Sequence, residues 1–319
     1  MEGSMKRTAF LTAIFMLPLA CVAQQASSLE TVVKLARERA FTSQYVNWPN
    51  VENKARAIAA QKDEDAAIRF VIRALGDGHS SYIPPNPEVT VAASGSRATQ
   101  GARAQGMSQV KDSVGGIAVI EVRSWSGPMP EGTAAANTLR DQVSAALTSQ
   151  RCGLVLDFSK NSGGNMWPML SGLSALLDEG TLGFFQDANG VTRAIEKRGQ
   201  TFLVDGAPQP FGRADGTASS VAPRRIGIIV GPRTASSGEI VPIMFHGQPN
   251  VRFFGRATSG HSTANSTFPL PNKGIVNITT ATTLDRNRVE FGDQLVPDES
   301  GDEPLPQAAQ WVASGCSRE

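Results

Sequence analysis

Runs of almost wholly apolar residues, each followed by a turn and a helical pattern, constrain the fold of this chain most. Stretches without polar alternation are typical of strands that are covered on both faces of a sheet. The apolar runs are residues 116–122, 153–158, 225–230 and 251–255, and the helical patterns between them are residues 131–149, 167–177 and 238–245. Strands that alternate with helices predict a layered α/β core.

The rest of the chain divides into shorter segments around this core. Apolar residues at helical spacing predict a helical N-terminal segment over residues 28–83, broken near Trp48-Pro49-Asn50. Residues 84–113 are rich in Gly, Ala, Ser and Gln without strong periodicity, which predicts a loop or linker, with a weakly patterned hairpin as the alternative. The α/β core is then expected over residues 114–315.

Two adjacent serines, Ser236 and Ser237, lie in the turn between the apolar run that ends at Val230 and the next helix. A serine at this place lies at the carboxyl edge of the sheet and beside a helix N-terminus. Unpaired backbone N–H groups there can stabilise a developing oxyanion. The same residues would also serve as an ordinary helix cap.

A second polar turn contains the paired glycines Gly163 and Gly164, and it follows the run that ends at Phe158. Glycines at a sheet edge let the backbone approach a ligand closely, and their N–H groups are candidate oxyanion donors. A tight strand-to-helix turn is the alternative interpretation.

The chain has three histidines, at positions 79, 246 and 261. His79 and His261 lie in polar turns, whereas His246 is the last residue of the stretch Ile243-Met244-Phe245-His246, which is otherwise apolar. A general base must reach the serine hydroxyl, so the two turn histidines are the better candidates.

Seven motifs in this order resemble the family of the C-terminal processing (tail-specific) proteases and the tricorn protease core, over roughly residues 70–305. They are DGHSSY (77–82), GGIAVIEV (115–122), VLDFSKNSGGN (155–165), GPRTASSGEI (231–240), GRATSGHST (255–263), LPNKGI (270–275) and LVPDE (295–299). The resemblance implies a ClpP/crotonase-like layered α/β core that carries a serine peptidase site.

The resemblance also implies the identity of the nucleophile. In the family the nucleophilic serine stands three residues before a glutamate, which Ser236 does with respect to Glu239. The N–H groups of Ser237 and of Gly163 or Gly164 would then form the oxyanion hole. Ser237 is the alternative nucleophile.

The base differs between the two branches of the family. The tail-specific branch has a lysine after a threonine-x-glycine turn, and His261 occupies that position here. The tricorn branch has a histidine from the start of the core, which His79 matches, although Gly78 precedes it where that branch has a serine. His79 is therefore the expected base and His261 the alternative.

The resemblance places a carboxylate behind the imidazole. Glu290, before the Pro-Asp motif, is the expected acid, and Asp298 of that motif is the next candidate. Ser159 stands where the family has an arginine in the glycine turn. Residues 84–113 are too few for a separate PDZ module, so a PDZ-less member is expected.

These observations together predict a secreted serine peptidase that acts on a peptide or an unfolded protein through a Ser236 acyl-enzyme and needs no cofactor or metal. A non-catalytic ligand- or peptide-binding domain on the same fold is the alternative, and an esterase with the same nucleophile is a third possibility.

Charge and N-terminal pattern bear on partners and location. Thirty basic and twenty-nine acidic residues leave no field that would attract nucleic acid. Lys6-Arg7, an apolar run over residues 9–20 and a small-x-small site before Gln24 predict a signal peptide over residues 1–23, cleaved after Ala23. Lipid attachment at Cys21 is the alternative. The expected location is secreted or periplasmic, without stable membrane insertion.

Cys152 and Cys316 remain after removal of the signal peptide. In an oxidising compartment they either pair or stay as two buried thiols, and their spacing matches no metal-site pattern.

Overall fold

The computed structural model describes residues 26–85, 106–149, 152–211 and 225–316. The predicted signal peptide and most of the predicted 84–113 loop lie outside these residues. The helices are α1 (Ser28–Arg39), α2 (Trp48–Gln61), α3 (Glu64–Ala74), α4 (Met129–Ser149), α5 (Met166–Gly172), α6 (Ser237–Ile243) and α7 (Pro304–Ala313). The strands are β1 (Ser81–Ile83), β2 (Ser108–Val114), β3 (Ile117–Val122), β4 (Gly153–Asp157), β5 (Gly180–Gln186), β6 (Thr192–Arg198), β7 (Thr201–Val204), β8 (Ala207–Pro208), β9 (Arg225–Val230), β10 (Val251–Gly255), β11 (Thr263–Pro269), β12 (Ile275–Asp285) and β13 (Glu299–Ser300).

The apolar runs form a six-stranded sheet in the order β13-β10-β9-β4-β3-β2, parallel except where β2 pairs with β3. Successive side chains of a strand point to opposite sides of the sheet, and apolar side chains on both sides are covered by helices. In β4, Leu154 and Leu156 join the core cluster that contains helix α4, whereas Val155 joins the cluster that contains α7.

A second, antiparallel sheet has the order β1-β12-β5-β6-β7-β8, and β11 pairs with β12 as an additional strand. The sequence patterns do not reveal it, because strands such as β6 are mostly part-exposed and polar. The long strand β12 is buried, but it contains Asn277, Thr279 and Thr282 where an apolar run would be expected.

The N-terminal helices pack on this antiparallel sheet. Each begins at a side-chain cap, Ser27 for α1, Asn47 for α2 and Asp63 for α3. The predicted break falls just before α2, whose first turn contains a proline, where a missing N–H costs nothing. Buried residues of these helices share a cluster with Val276 and Ile278 of β12.

Of the loop and the hairpin considered for residues 84–113, the structure contains a hairpin strand at the end of the segment. Ser108–Val114 forms β2, which pairs antiparallel with β3. Both faces of β2 are partly exposed, so its sequence lacks the apolar alternation that would indicate a strand.

Cys152, just before β4, forms a disulfide with Cys316, which follows α7. Of the two alternatives for these cysteines, the structure therefore contains the pair. The bridge closes a sequence separation of 164 residues. In the described part of the chain, no helix is both long enough and apolar enough to cross a membrane.

Candidate active site

Ser236 lies at the start of α6, after the turn that leaves β9. Its backbone has φ 54°, a left-handed conformation that costs a non-glycine residue about 1–3 kcal/mol. A residue persists in such a conformation only when its surroundings hold it there. The contacts of Glu239 provide that restraint.

The Glu239 carboxylate is fully buried and accepts four hydrogen bonds. One comes from the N–H of Ser236 at 3.0 Å, and two come from the N–H groups of Gly260 at 3.0 Å and His261 at 2.8 Å. The fourth comes from the Thr258 hydroxyl. Glu239 thus joins the serine turn to the loop 258–261. In the sequence analysis Glu239 served only to identify Ser236 by its spacing, and its hydrogen bonds were not predicted.

The His79 imidazole is hydrogen-bonded on both nitrogens. Its Nε2 lies 3.0 Å from Ser236 Oγ, and its Nδ1 lies 2.8 Å from Thr263 Oγ1. The Asp77 carboxylate accepts the N–H groups of His79 at 3.0 Å and of Ser80 at 2.7 Å, and Asn265 Nδ2 donates to the His79 carbonyl at 3.3 Å. The histidine is therefore fixed by side chain and backbone together.

Burial lowers the pKa of His79 to about 4, helped by the nearby charge of His261 and opposed by Asp77. The ring is thus neutral near pH 7, with one nitrogen carrying a proton and the other free to accept one. This is the protonation state that a general base requires.

His261 lies beside His79 but does not contact the serine hydroxyl. The two ring centroids are 5.5 Å apart, and His261 Nδ1 lies 2.8 Å from Ser259 Oγ. Of the two candidate bases, His79 therefore contacts Ser236, whereas His261 contacts the ring of His79.

The glycine turn packs directly against the serine turn. A Cβ added at Gly163 would lie 2.8 Å from Ser236 Cβ, and one added at Gly164 would lie 2.1 Å from the Trp125 carbonyl oxygen. Both glycines have positive φ, 107° and 113°. The N–H of Ala235 donates to the Asn161 carbonyl at 3.0 Å, which joins the two turns. Only glycine fits at positions 163 and 164.

The three predicted oxyanion donors differ in availability. The N–H of Gly163 donates to Asn161 Oδ1 at 2.9 Å. By contrast, the N–H groups of Gly164 and Ser237 donate to no acceptor among the described residues. The Ser237 hydroxyl donates to the Gly164 carbonyl at 2.7 Å, which holds these two residues together.

The structure does not bring the predicted carboxylates to His79. Glu290 is exposed, and its backbone forms a β-bridge with Leu284. Asp298 Oδ2 accepts the N–H of Phe253 at 2.8 Å, which is a contact within the sheet. The hydroxyl of Thr263 occupies the position at Nδ1 instead. Sequence reasoning missed Thr263, although it is the last residue of the GRATSGHST motif.

Comparisons with known proteins identify the family of this chain. The model of peptidase family S41 matches residues 116–300. A nisin-resistance protein from Lactococcus lactis subsp. lactis is 31% identical over 163 residues, which are 51% of this chain and 50% of that protein. The chain thus spans about half the length of this curated relative.

Solved structures share the fold. A lipoprotein from Streptococcus agalactiae superposes with a TM-score of 0.75 at 24% identity, covering 96% of this chain and 100% of that one. A photosystem II D1 C-terminal processing protease gives a TM-score of 0.57 at 14% identity, covering 88% and 96%. The predicted layered α/β fold with a helical N-terminal segment is confirmed by this likeness. Because the family model covers more than half of the chain, the chain belongs to peptidase family S41.

Proposed function

We propose that this protein is an exported serine peptidase that hydrolyses peptide bonds with Ser236 as nucleophile and His79 as general base. The observation that carries the proposal is the 3.0 Å contact between His79 Nε2 and Ser236 Oγ, across 157 residues of sequence. The low pKa of His79, about 4, supports it because a neutral imidazole can accept the hydroxyl proton.

The proposed reaction is an acyl transfer in two stages. His79 Nε2 takes the proton of Ser236 Oγ as this oxygen attacks the peptide carbonyl carbon. The N–H groups of Ser237 and Gly164 hold the oxyanion. The imidazolium then gives its proton to the leaving amine as the C–N bond breaks. Water, deprotonated by His79, hydrolyses the ester and restores Ser236.

Thr263 takes the orienting role that the sequence assigned to Glu290. When Nδ1–H donates to the Thr263 hydroxyl, Nε2 carries the free lone pair that faces Ser236. A hydroxyl is a neutral acceptor, so it orients the ring without the charge stabilisation that a carboxylate gives the imidazolium.

The substrate class is an unstructured peptide, and nisin is the first specific candidate. The relative from Lactococcus lactis bears nisin resistance in its name, and nisin is itself a peptide. Cleavage of nisin and of an unmodified peptide of similar length, followed by mass spectrometry, would compare the two. An exported location is supported by the Cys152–Cys316 disulfide, because such bonds persist in oxidising compartments.

Labelling by a fluorophosphonate tests the nucleophile. Wild-type protein and Ser237→Ala should be labelled and should cleave an unstructured peptide, whereas Ser236→Ala should do neither. Ser237→Ala is the matched control because it keeps the backbone N–H while removing the neighbouring hydroxyl. Equal labelling of Ser236→Ala and wild type would contradict the proposal. Absence of labelling in all three would favour the ligand-binding alternative.

A further inference from the structure

The strand β11 begins inside the proposed active site. Its first residue, Thr263, contacts His79 Nδ1, and its third residue, Asn265, donates from its side chain to the His79 carbonyl. A β-bulge separates Ala264 from Asn265 in the pairing with β12. Bulges re-aim strands next to active sites. From Asn265 onward the strand therefore leads away from the catalytic pair.

One edge of β11 is unpaired. In the described part of the chain β11 pairs only with β12, in an antiparallel register that sets Asn265 opposite Thr279. The backbone of Thr279 points away from β11, because its N–H donates to Ser80 Oγ at 3.0 Å and its carbonyl accepts the N–H of Phe41 at 2.8 Å.

Residues directly opposite each other in an antiparallel ladder either both face the partner strand or both face away. The N–H and C=O groups of Asn265 therefore point outward, away from β12. The same holds two residues further on for Thr267, whose opposite residue Asn277 pairs with Ser81 of β1. Both Asn265 and Thr267 are exposed.

The sequence of β11 itself offers little protection against pairing at this edge. Exposed edges in proteins are blunted by charges, prolines or covering loops. The sequence TANSTFP of β11 contains no charged residue, and its single proline, Pro269, stands at the end far from His79. Within the described part of the chain, residues 265–268 thus form an uncharged edge, unpaired on its outer side, that starts beside His79.

We propose that the outer edge of β11, residues 265–268, binds the main chain of the substrate as an added strand. The inference rests on the proposed peptidase function and specifies its substrate class as a peptide segment in extended conformation. Main-chain hydrogen bonds to Asn265 and Thr267 would hold the segment, so recognition depends little on side chains. Segments with proline or N-methylated residues at the pairing positions would be excluded.

A scan of singly N-methylated peptides tests the pairing. Each peptide is a copy of one that the wild-type enzyme cleaves, methylated at one amide away from the scissile bond. Loss of one main-chain hydrogen bond that leaves a carbonyl unpaired should lower kcat/KM by about tenfold. The expected pattern has a period of two residues, with the intervening positions within about twofold of the parent peptide. Uniform sensitivity, or none, would overturn the proposal.

Affinities of the same peptides for Ser236→Ala separate this proposal from the peptidase proposal. If the strand forms, Kd should show the same alternation of residues even where nothing is cleaved. Cleavage without alternation would refute the strand while leaving the peptidase intact. Alternating Kd values without cleavage or fluorophosphonate labelling of the wild-type protein would refute the peptidase and retain the strand.

A matched pair of variants tests the protein side. Thr267→Pro removes an N–H that points outward and so should leave the pairing with β12 intact. Thr267→Ala keeps the N–H but removes the 2.7 Å bond from the Thr267 hydroxyl to Asn277. We expect the KM of Thr267→Pro to exceed that of Thr267→Ala about tenfold, with equal fluorophosphonate labelling of the two variants.

Two results would contradict this expectation. Equal KM values for the two variants would show that the N–H is not used. A change in molecular mass for Thr267→Pro alone, measured by light scattering, would assign the edge to pairing between two copies of this chain. If Thr267→Pro fails to fold, the N-methyl scan on wild-type protein decides.

Discussion

His79 Nδ1 lies 2.8 Å from the hydroxyl of Thr263, so a neutral side chain orients the proposed catalytic base. Thr263→Val removes this acceptor at nearly constant volume. We expect kcat to fall about tenfold with little change in KM, because the ring loses its preferred tautomer and not its substrate contacts. Thr263→Ser should restore most of the rate. Equal kcat for the Val and Ser variants would show that Thr263 only fills space.

The pH dependence of activity should follow His79. The base must be neutral, and burial together with His261 lowers its pKa to about 4. The rate kcat/KM should therefore rise as pH increases through about 4 and should be flat near neutrality. His261→Asn removes one of the two causes, so the rising limb should move to higher pH. An unchanged limb in this variant would argue against His79 as the titrating group.

Glu239 should matter for folding as well as for catalysis. Glu239→Ala leaves the part-buried N–H groups of Ser236, Gly260 and His261 without their acceptor. A fully buried unpaired donor costs about 1–3 kcal/mol, so for three part-buried donors the free energy of unfolding should fall by about 3 kcal/mol in urea titrations. Glu290→Ala, at an exposed carboxylate, is the control and should change neither stability nor kcat. A large loss of kcat in Glu290→Ala would instead support its predicted catalytic role.

Gly163→Ala should abolish activity by displacing the nucleophile. Its Cβ would lie 2.8 Å from Ser236 Cβ, and a displacement of about 1 Å costs on the order of a hundredfold in rate. Gly190→Ala is a matched control, because Gly190 also has positive φ, 80°, but nothing lies within 4 Å of its added Cβ. We expect activity to be lost only at position 163, with Gly163→Ala also less stable to heat than Gly190→Ala because of the clash. Comparable losses of activity in both variants would contradict it.

The disulfide should stabilise the whole fold. The Cys152–Cys316 bridge closes a separation of 164 residues, for which the chain-entropy model gives about 5 kcal/mol. Cys152→Ser combined with Cys316→Ser should therefore unfold at a much lower urea concentration, while the folded fraction still reacts with fluorophosphonate. Quantitative alkylation of the wild-type protein is the check. Finding both Cys152 and Cys316 as free thiols would contradict the prediction.

The sequence predicted the parallel sheet well, because its strands are apolar on both faces. Leu154, Val155 and Leu156 are all fully buried, which is what an uninterrupted apolar run indicates. The antiparallel sheet was not predicted, since the buried Thr279 is satisfied by a hydrogen bond to Asn265 and the buried Thr282 is enclosed by packing, neither of which a local pattern reports. Sequence reasoning found the secondary structure where burial alone determines it.

The candidate site shows the same division. The positions of Ser236 and the paired glycines follow from strand-to-turn junctions that are local in sequence. The contact between His79 and Thr263 spans 184 residues, and nothing near either residue indicates it. The resemblance to known peptidases suggested a carboxylate as the third group, whereas the register of β11 places a hydroxyl there.

The position of β12 in the chain means that the proposed active site is assembled late in synthesis. Ser236 follows β9 of the six-stranded sheet, whereas the loop of His79 is held to the antiparallel sheet. There the N–H of Thr279 in β12 donates to the hydroxyl of Ser80, next to His79. The same strand pairs with β11, which carries Thr263 and Asn265. A growing chain that has emerged only as far as residue 262 contains both nucleophile and base but neither Thr263 nor β12 to hold them together. The proposed activity is therefore expected only after residues 263–285, which contain Thr263 and β12, have been made.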